Sequence, residues 1–443
     1  MPRAKKRQKL SSDDGDTLLE PPDTLDQFES TQSDGARSFH DFDELAEVHD
    51  EFRSFVRKDA SGRPYINFQD PKAVRALTYA ILKKEFDLDL EIPLDTLCPP
   101  VPNRLNYIQL LHALLIDIGI PEGEPVWGID IGTGASCIYP LLGCASYPNW
   151  HFLATDISKT SLQVASDNVK RNKLQNRIHL YQNNDPKITL PIKGAGEATR
   201  LSITRFDFCM CNPPFYISRE QIQQAARSKA LSPSAVCTGN DAEMITEGGE
   251  VGFITRMIHE SKQYTDCVRW FTSMVGLKST LMHLLDVLQQ EKIGNYVIMD
   301  LKQGKTTRWV IGWSFSPDRP KIARREGSAP FLRKLNPQSN VVECHVSPEA
   351  RNQLLDLLDT LQISYTTESD TKIQVTAHRD TWTRRARRGG TSTPSAETEP
   401  MTIRIEFKGD IMTMHWVHGM TRPMFLSFWQ HVRQALERLH ALM

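Results

Sequence analysis

Apolar positions along the chain fall into two rhythms. After Asp70-Pro71, Val74, Leu77, Ile81 and Leu82 recur at helical spacing as far as about Phe86. The Asp-Pro pair in front of them reads as a capped first turn. A second helical pattern starts near Arg104, beyond Cys98-Pro99-Pro100-Val101-Pro102, and carries Leu110, Leu111, Leu114 and Leu115. Short buried strands then alternate with helices. Strands are expected over Pro125 to Ile131, Trp150 to Thr155, Ile178 to Tyr181 and Phe206 to Cys211, with a helix from Lys159 to Lys173. Later strands at Val268–Val275, Tyr296–Leu301 and Arg308–Phe315 end in an antiparallel edge hairpin around Gly304. Strands alternating with helices predict an α/β fold with a doubly wound, mostly parallel sheet.

The ends of the chain follow other rules. In residues 1–54, acids such as Asp13, Asp14, Asp16, Glu20 and Asp23 outnumber apolar residues. Such a stretch buries too little surface to offset its ordering entropy, so a disordered tail is expected. Its head, Lys5-Lys6-Arg7-Gln8-Lys9, resembles a nuclear-import signal, although a solvated charge run has the same composition. Residues 55–316 form the main domain with an N-terminal helical extension, and residues 317–340, rich in Pro, Arg and Lys, read as a linker. A small α+β domain is expected over 341–443: a strand, a helix over Pro348 to Leu361, strands near Ile373–Ala377, Ile403–Phe407 and Met412–Val417, and a closing amphipathic helix from Pro423 to Leu442. Arg384, Arg385, Arg387 and Arg388 cluster on a loop inside it.

Composition narrows the function classes. The chain has 443 residues, 40% of them hydrophobic and 24% charged, which fits an ordinary globular protein of two or three units. No apolar run approaches the roughly 20 residues of a membrane helix, and the basic N-terminus lacks the apolar core of a secretory signal. The eight cysteines show no zinc-ligand spacing, so reduced thiols and no metal are expected. Cys209 and Cys211 flank Met210 on an expected strand and read as core. A net charge of −1 seems to oppose nucleic-acid binding, but it averages an acidic tail with basic segments elsewhere.

Two segments carry chemistry. Gly132-Thr133-Gly134-Ala135-Ser136 follows the first strand and opens a helix, where glycines let a ligand approach helix N-terminal amides. Cys137 occupies the place of the third glycine of Gly-x-Gly-x-x-Gly, so the pyrophosphate fingerprint fails. Asp156, at the end of the second strand, stands where a carboxylate accepts ribose hydroxyls. Loop and acid together suit an adenosine cofactor without a pyrophosphate. The second segment is Asn212-Pro213-Pro214-Phe215, directly after a buried strand. Two prolines remove amide donors and leave carbonyls free. Asn212 and the Pro213 carbonyl can accept both hydrogens of a planar exocyclic amine, and Phe215 or Tyr216 can stack on its ring. Such motifs serve adenine N6, cytosine N4, guanine N2 and glutamine amides, so they fix the class and leave the substrate open.

Several stretches together resemble the methyltransferase-like protein 16 family: Asp70 to Thr78, Val101-Pro102-Asn103-Arg104-Leu105-Asn106-Tyr107, Gly128 to Gly143 and Asp207 to Phe215. Gly248-Gly249-Glu250 and Gly304 to Trp309 also fit, and the similarity spans about residues 65–316. This resemblance implies a Rossmann-like class I methyltransferase dependent on S-adenosyl-L-methionine, acting on adenine N6 of U6 small nuclear RNA in the nucleus. It assigns Arg104, Gly132, Gly134, Ser136, Asp156 and Asn212 to the cofactor, and Asn212, Pro213, Pro214 and Phe215 to catalysis. Animal members usually carry Glu where Asp156 stands, one methylene longer. Animal members also carry C-terminal modules that bind U6 RNA, which would give the Arg384–Arg388 cluster a phosphate-contacting role. Guanine N2 methylation of structured RNA, or a catalytically weak RNA-binding splicing factor, is the alternative. Trp382 beside the arginines either stacks on a base or fills the small domain's core.

Overall fold

The computed structural model describes residues 41–199, 205–227, 239, 241–303, 306–316, 320, 330–337, 340–387, 400–419 and 421–441. The basic head and the tail up to residue 40 lie outside them. The tail boundary expected at residue 54 is corrected, because α1 (Phe42–Val48) and α2 (Asp50–Arg53) are helices. Asp41 caps the first by accepting the amides of Asp43 and Glu44. Phe42, Leu45 and Phe52 are buried. After the short hairpin of β1 (Arg57–Lys58) and β2 (Pro64–Tyr65) comes α3 (Pro71–Phe86), against which both helices pack. Composition concealed them because their few apolar side chains find partners on α3, and a Glu44–Lys84 ion pair adds to the contact. Asp70 caps α3 through the Lys72 amide at 2.9 Å, as its Asp-Pro start implied. The next helix, α4 (Val101–Asp117), begins ahead of Arg104 because Pro102 fits its first turn.

The central sheet is built from β3 (Val126–Ile131), α5 (Ile138–Ser146), β4 (Trp150–Asp156), α6 (Lys159–Arg171), β5 (Ile178–Gln182), α7 (Ile192–Thr199) and β6 (Phe206–Cys211). Two short helices follow, α8 (Arg219–Arg227) and α9 (Asp241–Met244), then α10 (Gly249–Ser261), β7 (Val268–Val275), α11 (Lys278–Gln290), β8 (Asn295–Gln303) and β9 (Thr306–Ser314). The strand order is β5-β4-β3-β6-β7-β9-β8. The first five strands are parallel, and β9 runs antiparallel to both neighbours, giving the expected edge hairpin. Each face of the sheet buries its own apolar cluster, one with α4 and α5 and the other with α10 and α11. Gly128 is required in β3, since a Cβ there would fall 2.3 Å from the Phe208 ring. Met210 faces one cluster while Cys209 and Cys211 face the other, all three in the core.

Part of the segment expected as linker is docked. In α12 (Pro330–Leu335), Leu332 is buried in the second cluster. Just beyond it, the Asn336 side chain accepts the Ile298 amide at 2.6 Å and donates to the Ile298 carbonyl at 2.9 Å. Strand β8 is the sheet's edge, and the amide side chain satisfies its open backbone.

The C-terminal region is a second sheet, formed by β10 (Val341–His345), α13 (Ala350–Thr360), β11 (Ser364–Ser369), β12 (Lys372–Ala377), α14 (Arg384–Arg387), β13 (Met401–Lys408), β14 (Ile411–His418) and α15 (Arg422–Ala441). All neighbours in its order β10-β14-β13-β12-β11 are antiparallel. Leu354 and Leu358 of α13 and Phe425, Phe428 and Val432 of α15 share one core with its inward residues. Trp382 belongs to that core: it is buried, with its ring edge-on to Phe428 at 5.0 Å. A stacking role on RNA is thereby set aside. Strand β11 had no signal in the sequence, because Ser364-Tyr365-Thr366-Thr367-Glu368-Ser369 is polar almost throughout.

Phe52→Ala tests whether the N-terminal helices are integral. Truncating a buried Phe costs about 3–5 kcal/mol, so the urea midpoint of the catalytic unit should drop clearly. A midpoint within error of wild type would make α1 and α2 peripheral.

Candidate active site

Strand β3 hands the chain to the glycine loop. Gly132 and Gly134 take left-handed backbone angles, φ 71° and 66°. The amides of Gly132 and Thr133 both donate to the Thr155 carbonyl at 2.9 Å, which ties the loop to the end of β4. Asp156 continues the link: one carboxylate oxygen accepts the Gly134 amide and the other the Ser158 amide, each at 2.8 Å. The Ile157 amide adds a third bond, and the carboxylate still has room for a further donor. Burial pushes this carboxyl above the usual range while the amides pull it back. Cys137 interrupts the glycine fingerprint yet keeps a left-handed conformation, φ 50°, just before α5. It is fully buried and takes a hydrogen bond from the Thr133 hydroxyl at 3.4 Å.

Arg104 projects from the first turns of α4 and is only 1% exposed. Its guanidinium carbon lies 5.6 Å from the centre of the Tyr139 ring. The buried Asp130 carboxyl is pushed up to about 7 by desolvation. The Thr133 hydroxyl and the charge of Arg104 oppose that rise, and the charge of Asp156 adds to it.

Strand β6 ends at Cys211 and releases Asn212, whose Oδ1 is buried without a hydrogen-bond partner. Pro213 is buried and Pro214 half-buried. Phe215 is buried, its ring about 3.1 Å from where a Gly276 Cβ would stand, with a Glu250 carboxylate oxygen 3.2 Å from the same point. Tyr216 is fully buried as well. Neither residue is on the wall of the cavity that holds Asn212. Glu250, on α10, accepts the amides of Gly276 and Leu277 and a hydrogen bond from the Thr280 side chain, so it ties the turn between β7 and α11 to a neighbouring helix. Burial raises its carboxyl to about 7.

One cavity of about 670 Å³ collects most of these groups. Arg104, Gly132, Gly134, Ser136, Asp156, Asn212 and Pro214 line it, whereas Pro213 and Phe215 do not. A Cβ at Gly132 would meet no atom within 4 Å, so the loop leaves open space for a ligand. The cavity also exposes residues that the sequence reading passed over. Glu243 accepts the Leu97 amide at 3.1 Å, and Arg256 holds the Glu247 carbonyl and the Thr246 hydroxyl at 3.0 and 3.2 Å. Tyr139 and Phe253 supply its aromatic surface. Only their closeness to Gly248-Gly249-Glu250 could have flagged Phe253 and Arg256.

A parallel sheet whose strand order turns at β3, with a glycine loop, a strand-end acid and Asn-Pro-Pro on one cavity, defines a Rossmann-like class I methyltransferase. Residues 33–317 match the family described as RNA methyltransferase, and the chain belongs to that family. It is 36% identical to the U6 small nuclear RNA (adenine-(43)-N(6))-methyltransferase of Schizosaccharomyces pombe, over 84% of this chain and 95% of the relative. It is 41% identical to the RNA N(6)-adenosine-methyltransferase mettl16 of Danio rerio, over 63% of this chain and 58% of that longer protein. The solved hMettl16 catalytic domain in complex with MAT2A 3′UTR hairpin 1 matches with a TM-score of 0.56 at 38% identity, covering 63% of this chain and 92% of that one. The N-terminal domain of human METTL16 in complex with SAH matches with a TM-score of 0.51 at 36% identity, covering 62% and 94%. Among the described residues, no helix is long and apolar enough to cross a membrane, and no group of three or more His, Cys, Asp or Glu could hold a metal ion.

The raised carboxyls carry a pH signature. Asp130 and Glu250 hold their protons more tightly folded than unfolded, so their stabilising effect is complete below the ordinary carboxylate range, about 4. It is lost as pH rises through the folded value of about 7. The urea midpoint should therefore fall between about pH 5 and about pH 8, and Glu250→Gln should flatten that fall. An unaltered slope in the variant would remove Glu250 as a source.

Proposed function

We propose that the chain transfers a methyl group from S-adenosylmethionine to N6 of an adenosine in structured RNA, with U6 small nuclear RNA as substrate and the nucleus as the place of action. The observation that carries this reading is the unpartnered, buried Asn212 Oδ1 on the same cavity wall system as Asp156 and Arg104. An acceptor buried without a donor costs about 1–3 kcal/mol, and an exocyclic amine entering the cavity supplies the missing hydrogen. The name of the fission-yeast relative, which this chain matches over nearly the relative's whole length, supports the choice of base and RNA.

Arg104 pairs with a carboxylate, the Gly132–Ser136 loop accommodates an amino-acid moiety at close range, and Asp156 accepts from ribose hydroxyls with its spare lone pairs. When bound, S-adenosylmethionine supplies an electrophilic methyl group on sulfur. Asn212 Oδ1 and the Pro213 carbonyl draw both amine hydrogens into one plane, which localises the nitrogen lone pair toward that methyl. Pro214 borders the base, and Phe215 anchors the turn from behind. In this reading residues 42–316 are the catalytic unit and residues 341–443 contact RNA, with the exposed Arg384 and Arg385 among the phosphate ligands. Arg388 lies outside the described residues.

Asn212→Ala should lower methyl transfer to U6 RNA at least about 100-fold, a loss comparable to removing one preorganised active-site contact, while RNA affinity stays within error. Wild-type-like turnover of a tritiated methyl group in that variant would sink the mechanism. Replacing Arg384, Arg385, Arg387 and Arg388 together by Ala should weaken RNA binding and flatten its salt dependence. A salt titration superimposable on that of the wild type would return those arginines to solvent.

A further inference from the structure

A buried polar group of α4 meets the end of β6, one residue before Asn212. Strands β6 and β7 pair in register only as far as Cys209 and Phe271. Beyond that rung β6 stays paired to β3 through Cys211 and parts from β7, which continues beside β9 to Val275. At this point Tyr107 of α4 bonds to groups of both strands.

Tyr107 and Thr272 are both fully buried. The Thr272 hydroxyl donates to the Cys209 carbonyl at 2.8 Å, which commits its only hydrogen. The Tyr107 hydroxyl lies 2.8 Å from the Thr272 oxygen and must therefore be the donor between them. The tyrosine oxygen accepts the Cys211 amide in turn. A directed chain thus runs from the Cys211 amide to Tyr107, to Thr272, and back to the Cys209 carbonyl. It brackets the last three residues of β6 and replaces the rungs that β7 no longer provides. Asn212 is the next residue along. Burial drives the Tyr107 hydroxyl far above its usual pKa, which keeps it a donor at any working pH.

We propose that Tyr107 is a positioning residue for methyl transfer: through Thr272 it fixes the end of β6, and with it the direction of Asn212 and of the Pro213 carbonyl. One turn earlier on the same helix, Arg104 faces the cavity, so α4 sets the cofactor side and the base side of the site together. The Tyr107 ring stands edge-on to Tyr139 at 5.6 Å, and Tyr139 lies under Arg104. The proposal rests on the reading that Asn212 holds the base.

The test uses the full chain, methyl transfer to a U6 transcript, and calorimetric binding of S-adenosylhomocysteine. Tyr107→Phe removes one oxygen and keeps the ring. A misplaced reacting group costs up to about 100-fold, so kcat should fall about 10- to 100-fold, with KM for RNA and affinity for S-adenosylhomocysteine within about 3-fold. Thr272→Val should give a similar loss, Thr272→Ser should restore most of the turnover, and the Tyr107→Phe, Thr272→Val pair should lose little more than either single variant. A kcat unchanged in Tyr107→Phe while Asn212→Ala is inactive would overturn the proposal and leave the base-holding reading standing. So would losses in kcat that simply track lower stability or weaker cofactor binding. Full turnover in Asn212→Ala would overturn the base-holding reading itself.

Discussion

Strand order reverses at β3: the chain runs outward through β4 and β5, then returns to the opposite side of β3 as β6. The loops that leave these strands must turn away from one another, and a crevice opens over their carboxyl ends. Three consecutive places in that crevice are filled by sequence segments far apart in the chain. The glycine loop leaves β3, Asp156 ends β4, and Asn212 follows β6. The glycine loop and the acid meet across the adjacent strands β3 and β4, but on a sheet wound in one direction only β6 would carry Asn212 away beyond β5. Arg104 of α4 is buried on the wall of the same crevice.

Polar groups are buried at the crevice: Arg104 and the Asn212 oxygen are on its wall, and the buried Asp130 feels the charges of Arg104 and Asp156. At the glycine loop the backbone departs from ordinary preference: Cys137 accepts a left-handed conformation directly before α5.

The parallel strands and the helices between them were legible because apolar runs bounded by turn residues have few other readings. The glycine loop, Asp156 and Asn212 were legible for a related reason, since their backbone demands are written in residue type. Other features had no such trace. Strand β11 is polar because it is an edge strand, exposed along nearly its whole length. The helices at 42–53 depend on partners in α3, and Asn336 docks on the edge of β8 through a contact that no local pattern announces. The packing of Phe215 against Gly276 was not legible either, because aromatic type says nothing about side-chain direction and Gly276 lies far along the chain, in the turn between β7 and α11.

The two prolines after Asn212 have a consequence for selectivity. A backbone that offers carbonyls and withholds amides is a field of one polarity. A nucleobase edge bearing a keto oxygen would bring acceptor against acceptor, and the unpaired group on either side would have to be desolvated without return. An amine edge meets no such penalty. Under the proposed reading the turn would screen bases by the sign of their hydrogen-bonding edge before any contact with the methyl donor is made. Uracil, which carries keto oxygens and one imino hydrogen, would then be turned away by the absence of two protons in the protein.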